Sequence, residues 1–254
     1  MRVVRNNGYL KRRQRISRWT VFFGVLGLGV AMVMVLQPEL IIPAYGVLIV
    51  GFLVFNAGMQ QITKWNRRPR ADEVLDQLLR RLNDRYAIVH YPQLGGWSPE
   101  HLLISPSGIV VITTRAVPGE IEVEGDRWTR KGNWFVRFFG LGGPQLGNPT
   151  VENVRQRESV EEYLTLHGLP GKEHVDGAIV FLNPRSDIEV AESDISIATA
   201  EQLLSTIRDL GSETNLANDD RKEILNELSQ GDDVEGPISL PSRDPNAKAD
   251  AARS

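Results

Sequence analysis

Two apolar stretches open the chain before any alternation sets in. WTVFFGVLGLGVAMVMVLQ, residues 19–37, and IIPAYGVLIVGFLVFNAGM, residues 41–59, carry no charged side chain. At 1.5 Å per residue each roughly matches, as a helix, a bilayer core of about 30 Å. Only Pro38-Glu39-Leu40 separates them, so the pattern predicts a transmembrane helical hairpin. Its frequent glycines allow close backbone packing at little cost in a bilayer. A cleaved leader would show one apolar run and then a small-residue cleavage site, whereas here a second run follows at once. A buried hairpin in a soluble protein is the other reading.

Beyond residue 70 the pattern shortens and alternates. Residues 71–83 predict an amphipathic helix, with Leu75, Leu78, Leu79 and Leu82 on its apolar face and Asp72-Glu73 in its first turn. Residues 86–91 read as a strand. Residues 100–105 and 108–113 read as two strands joined at Pro106-Ser107-Gly108, and residues 119–123 as a third. Residues 128–139 predict an aromatic strand or loop, and the glycines and prolines of 140–149 a loop. A long helix over 150–167 precedes an almost wholly apolar strand, 175–182, of the type covered on both faces. A short strand at 195–197 and helices over 199–210 and 219–228 complete the domain. From Gly231 the chain turns acidic and then rich in proline and alanine, which predicts disorder. The organisation expected is a basic segment 1–18, spans 19–37 and 41–59, a basic linker 60–70, a domain 71–230 and a tail 231–254.

Charge orients the hairpin. The net charge of −3 hides an uneven distribution, for residues 1–70 carry eleven Lys/Arg against Glu39 alone. Lys11, Arg12, Arg13, Arg15 and Arg18 precede the first run; Lys64, Arg67, Arg68 and Arg70 follow the second. Both clusters belong on the cytoplasmic side, with both termini cytoplasmic in a multi-pass membrane protein, and anionic lipid headgroups are their expected neighbours. The acidic remainder argues against broad binding of nucleic acid. The chain has no cysteine, which excludes disulfides, thiolate zinc sites and a thiolate nucleophile.

The residues that carry chemistry gather around HLLISPSGIVVITTRAVPGEI, residues 101–121, and the later pair Asn148-Pro149. This arrangement resembles the nuclease-related domain family, NERD, over roughly residues 72–190. The resemblance implies an α/β fold, a restriction-endonuclease-like mixed sheet flanked by helices, here preceded by the hairpin. It also implies metal-dependent cleavage of nucleic acid, and some members are attached to membranes. The family's Asp-His pair at the start of the middle strand matches Glu100-His101. Its Glu-x-Lys at the end of the next strand matches Thr113-Thr114-Arg115. An early glutamate of the family matches Glu73, and Gly108, Gly119, Asn148 and Pro149 fall at further motif positions.

Those departures bear on the chemistry. Phosphodiester cleavage adds negative charge that one or two divalent ions offset, and Mg²⁺ wants hard oxygen ligands near 2.1 Å. The Thr113 hydroxyl is a poor ligand, and Arg115 keeps a positive charge but cannot act as a base. Glu100 and Glu73 remain as candidate metal ligands, with Glu120 and Glu122 as substitutes from the next strand. No phosphate-binding loop, H-E-x-x-H motif or nucleophile elbow occurs. RWTRKGNWFVRFFG, with Arg127, Arg130, Lys131, Trp134 and Arg137, is the candidate surface for nucleic acid or another anion, because aromatics interleaved with cations stack on bases and hold phosphates. The same stretch would also suit structural packing or a bilayer surface. The expectation is a membrane-tethered, nuclease-related domain without cleavage activity and without a cofactor, contacting the bilayer, a protein partner or nucleic acid. The alternatives are an active nuclease using Mg or Mn through altered ligands, and a purely structural membrane protein.

Overall fold

The computed structural model describes residues 1–132, 145–210, 215–230 and 234–239. The described residues divide into a helical hairpin, Gly8–Arg70, and a sheet unit that draws on Met1–Asn7, Ala71–Gly132 and the described residues from Leu146 onward.

The hairpin consists of α1 (Asn7–Met34) and α2 (Ile41–Trp65), joined through a 3₁₀ turn at Pro38–Leu40. The helices extend past the apolar runs into their basic flanks. Their buried positions recur every seven residues: Leu10, Ser17, Gly24 and Ala31 on α1, and Ala44, Gly51, Gly58 and Trp65 on α2. Seven-residue spacing keeps one seam facing the partner helix. The residues on it are small because the backbones meet there. A Cβ on Gly24 would lie 2.5 Å from the Phe55 Cα, and one on Gly58 2.7 Å from the Val21 nitrogen. At the open end Asn66 Nδ2 donates to Ser17 Oγ at 2.9 Å, and Gln14 Nε2 donates to the Trp65 carbonyl at 3.0 Å. Trp19 is exposed, whereas Trp65 is buried against Tyr9. Outside the seam most of the apolar side chains are exposed among the described residues; only 17 % and 11 % of the two most apolar windows are buried.

The sheet unit begins with β1 (Arg2–Asn6), ahead of the hairpin, and resumes after it with α3 (Ala71–Leu79). Strands β2 (Ala87–His90), β3 (His101–Ser105) and β4 (Gly108–Arg115) form an antiparallel meander. Then come β5 (Gly119–Glu124), β6 (Arg127–Arg130), α4 (Pro149–Leu166), β7 (Val175–Phe181), β8 (Ser186–Glu192), β9 (Ser196–Thr199), α5 (Leu203–Leu210), α6 (Asn218–Leu228) and β10 (Val234–Ser239). The main sheet runs β10-β1-β2-β3-β4-β7-β9, mixed in direction, and a smaller sheet runs β6-β5-β8. On one face of the main sheet Leu102, Ile104, Val111, Val160, Leu164 and Ile224 make a core with α4 and α6. On the other, Ile88, Leu103, Ile112, Leu75, Leu79 and Ile207 make a core with α3 and α5. The central strands are therefore apolar on both sides, as their unbroken hydrophobic runs require.

Three departures from the expected organisation stand out. Residues 2–6, expected within a basic segment, form a sheet strand. Residues 234–239, expected within a disordered tail, pair antiparallel with that strand. Residues 186–192 form β8, parallel to β5, although their polar character hides them as a strand. Each is a strand with few apolar residues, whose pairing is decided by distant chain.

Candidate functional site

Alternation along β4 turns Thr113 and Arg115 to the same face as Val111, toward α4. Asn148 caps that helix, its side chain accepting from the Val151 N–H at 3.1 Å, and Pro149 fills the first turn. This start sets the phase of the helix, so that Glu152, Asn153 and Gln156 point at the end of β4. Asn153 Nδ2 donates to the Val111 carbonyl and to Thr113 Oγ1, both at 3.0 Å. Thr113 Oγ1 donates to Gln156 Oε1 at 2.9 Å. Gln156 Nε2 reaches Glu152 Oε1 at 3.3 Å. Arg115 closes the ladder: Nη2 meets Glu152 Oε2 at 2.5 Å, Nε donates to the Leu146 carbonyl at 2.8 Å, and Nη1 donates to the Thr114 carbonyl at 3.0 Å. Thr113, Asn153 and Gln156 are buried. Gly177 on β7 makes room for this arrangement, since a Cβ there would collide with the Asn153 side chain.

These donors do not fit a hard divalent ion. The Thr113 oxygen both gives and accepts a hydrogen bond within the ladder, and the Glu152 carboxylate is balanced by Arg115. Among the described residues no group of three or more histidine, aspartate or glutamate side chains stands close enough to hold a metal. Glu100 immediately precedes β3, half-buried, its carbonyl accepting from the Tyr91 N–H at 2.8 Å. Continuing the His101–Ile112 pair by one residue sets it opposite Thr113. Glu73 belongs to α3, which covers the other face of the sheet.

His101 points to the α3 face and enters a second cluster of polar side chains. Its Nδ1 lies 2.8 Å from His90 Nδ1, and His90 Nε2 lies 2.9 Å from Asp76 Oδ1. Arg5 of β1 sets its Nε 3.0 Å from Asp72 Oδ2 and pairs through Nη2 with Asp76. Tyr91 Oη donates to Asp72 Oδ1 at 3.2 Å. Tyr91 follows His90 yet joins the same cluster; its left-handed backbone, φ 61°, interrupts the alternation of the strand. Asp72, His90 and His101 are wholly buried. Arg5, Asp72, Asp76, His90 and Tyr91 belong to no motif legible in the sequence. One signal was available: Asp72 and Asp76, four apart, flank Leu75 and share its helix face with Leu79, so acids sit on the apolar stripe.

The basic-aromatic stretch divides. Trp134 and Arg137 lie outside the described residues. Arg127 and Arg130 bound β6, and the Trp128 indole donates to Thr150 Oγ1 at 2.8 Å and stacks on Phe181. Lys131 Nζ reaches Glu122 Oε1 at 2.6 Å and Glu120 Oε2 at 3.7 Å. The hydrogen bond to Glu122 raises the lysine pKa above its usual range, and the charges of Glu122, Glu120 and Glu189 add to it. Glu120 and Glu122 alternate with buried Ile121 and sit in register with Asp187 and Glu189 of β8. This face is acidic, and its lysine is already engaged. Gly119 opens β5 with φ 101°, and Gly108 opens β4 with φ 148°.

The fold and this ladder define a mixed α/β domain joined to two helices long and apolar enough to cross a membrane. Residues 68–182 match the family model described as NERD, nuclease-related domain, so the resemblance read from the sequence holds for that segment. No curated protein and no solved structure matches the chain significantly.

Proposed function

We propose that the chain is a membrane-tethered nuclease-related domain that does not cleave nucleic acid and serves as an interaction module at the cytoplasmic membrane face. The observation that carries this reading is the buried ladder at the end of β4: Thr113 and Arg115 are spent on Asn153, Gln156 and Glu152 of α4. A site that has to bind a scissile phosphate and a cation needs its carboxylates and its cation free to face them. The anchoring part rests on the apolar surface of the hairpin that the described residues leave exposed and on its charged flanks. Cleavage after α1 would remove β1 from the sheet, which speaks against a leader. Lys11, Arg12, Arg15 and Arg18 are exposed at the head of α1, and among the described residues they meet no acidic side chain, which suits contact with anionic headgroups. The acidic face of β5 and β8 counts against nucleic acid as the ligand of Arg127, which pairs opposite Glu124, and of Lys131.

The test is an assay of the full chain in detergent with Mg²⁺ or Mn²⁺ on single- and double-stranded DNA and RNA. The expected result is no metal-dependent cleavage. Cleavage abolished by Glu100→Ala would overturn the reading.

A further inference from the structure

We infer that the helical hairpin is an insertion within the domain, not an anchor appended to it, and that the groove between β2 and β10 is a binding site for the segment Val3-Val4-Arg5, which ties both ends of the hairpin to one sheet. The matched family segment starts at residue 68, yet β1 lies between β2 and β10, parallel to the first and antiparallel to the second. Among the described residues β1 is the strand that joins β10 to the sheet. The two valines fill opposite cores: Val4 is buried with Val89, Leu102 and Leu225, and Val3 with Leu75, Ile88 and Leu103. Arg5 then supplies a cation to Asp72 and Asp76 on α3, the first helix after the hairpin, and Asp76 continues through His90 to His101 on β3. Asp72 is wholly buried, and Arg5 is one of its charged partners. The groove therefore recognises a short extended segment in which two adjacent β-branched residues precede an arginine. That segment and α3 are separated in sequence by the whole hairpin and meet only when both hairpin ends reach the same side.

The test uses the full chain with one specific protease site inserted between the exposed residues Arg67 and Arg68. The folded protein is cut in detergent and the fragments, residues 1–67 and 68–254, are run by size exclusion. The expected result is co-elution, because β1 stays in its groove after the covalent link is gone. With Val4→Asp in the same chain the fragments are expected to separate, and Arg5→Glu to weaken co-elution. Separation of the parent fragments overturns the inference, as does co-elution of the Val4→Asp fragments at the parent level. Should Val4→Asp fail to fold, the parent alone still decides. The readout is independent of whether the domain cuts nucleic acid.

Discussion

At the scale of single residues, two substitutions separate the two polar clusters. Thr113→Val keeps the shape of the side chain and removes the oxygen that serves both Asn153 and Gln156. Their amide groups are left buried and short of a partner, so the change is expected to cost about 1–3 kcal/mol in denaturant unfolding of the full chain. A loss near zero would mean that the ladder is wet or loosely made. Arg5→Met leaves Asp72 and Asp76 without their shared cation, and breaking a buried pair from one side typically costs about 3–5 kcal/mol. Arg5 is itself 22 % exposed, so the low end of that range is expected. The identities at 113 and 115 were legible as departures from Glu-x-Lys. What they touch was not, because Asn153 and Gln156 lie forty residues on and declare nothing until the Asn148 cap sets the helix phase.

At the scale of elements, the hairpin makes the sharpest prediction. The chain has no cysteine, so Ser17→Cys with Asn66→Cys creates a unique pair where the native side chains are hydrogen-bonded. Mild oxidation is expected to close a disulfide, detected as a mobility shift on a denaturing gel. Adding Gly24→Leu, whose Cβ would collide with the backbone of Phe55, is expected to splay the helices and lower the yield severalfold. The spans themselves were plain in the sequence. The seven-residue recurrence of Ser17, Gly24 and Ala31 was equally available but is obscured by other glycines, such as Gly29 and Gly46, which meet nothing among the described residues. The smaller sheet offers a test by pH. The folded-state pKa of Lys131 is raised, so its contribution is fully present below the unfolded value of 10.5 and is lost as pH rises through the higher folded value. Lys131→Met is expected to remove that alkaline loss, seen as a flatter melting-temperature profile above pH about 10.

At the scale of the whole molecule, connectivity constrains topology more firmly than the charge rule does. Basic flanks bias orientation but do not forbid the opposite one. Strand pairing is stricter: β1 precedes α1 and β2 follows α2, and the two are hydrogen-bonded neighbours in one sheet. If the helices cross a bilayer, the number of crossings between those strands must be even. The chain then enters and leaves on the domain side, with Glu39 alone on the far side. Neither β1 nor β10 could be read in advance, since RVVRN and VEGPIS are too short and too polar to stand out and become strands only beside one another. Single cysteines at Glu39 and at exposed Ser205 in the domain test the arrangement in intact cells with a membrane-impermeant maleimide. Labelling is expected at position 39 without permeabilisation and at position 205 only after it. Both positions labelling alike in intact cells would remove the two-pass arrangement, and a soluble hairpin would then have to explain an apolar surface that nothing in the described chain covers.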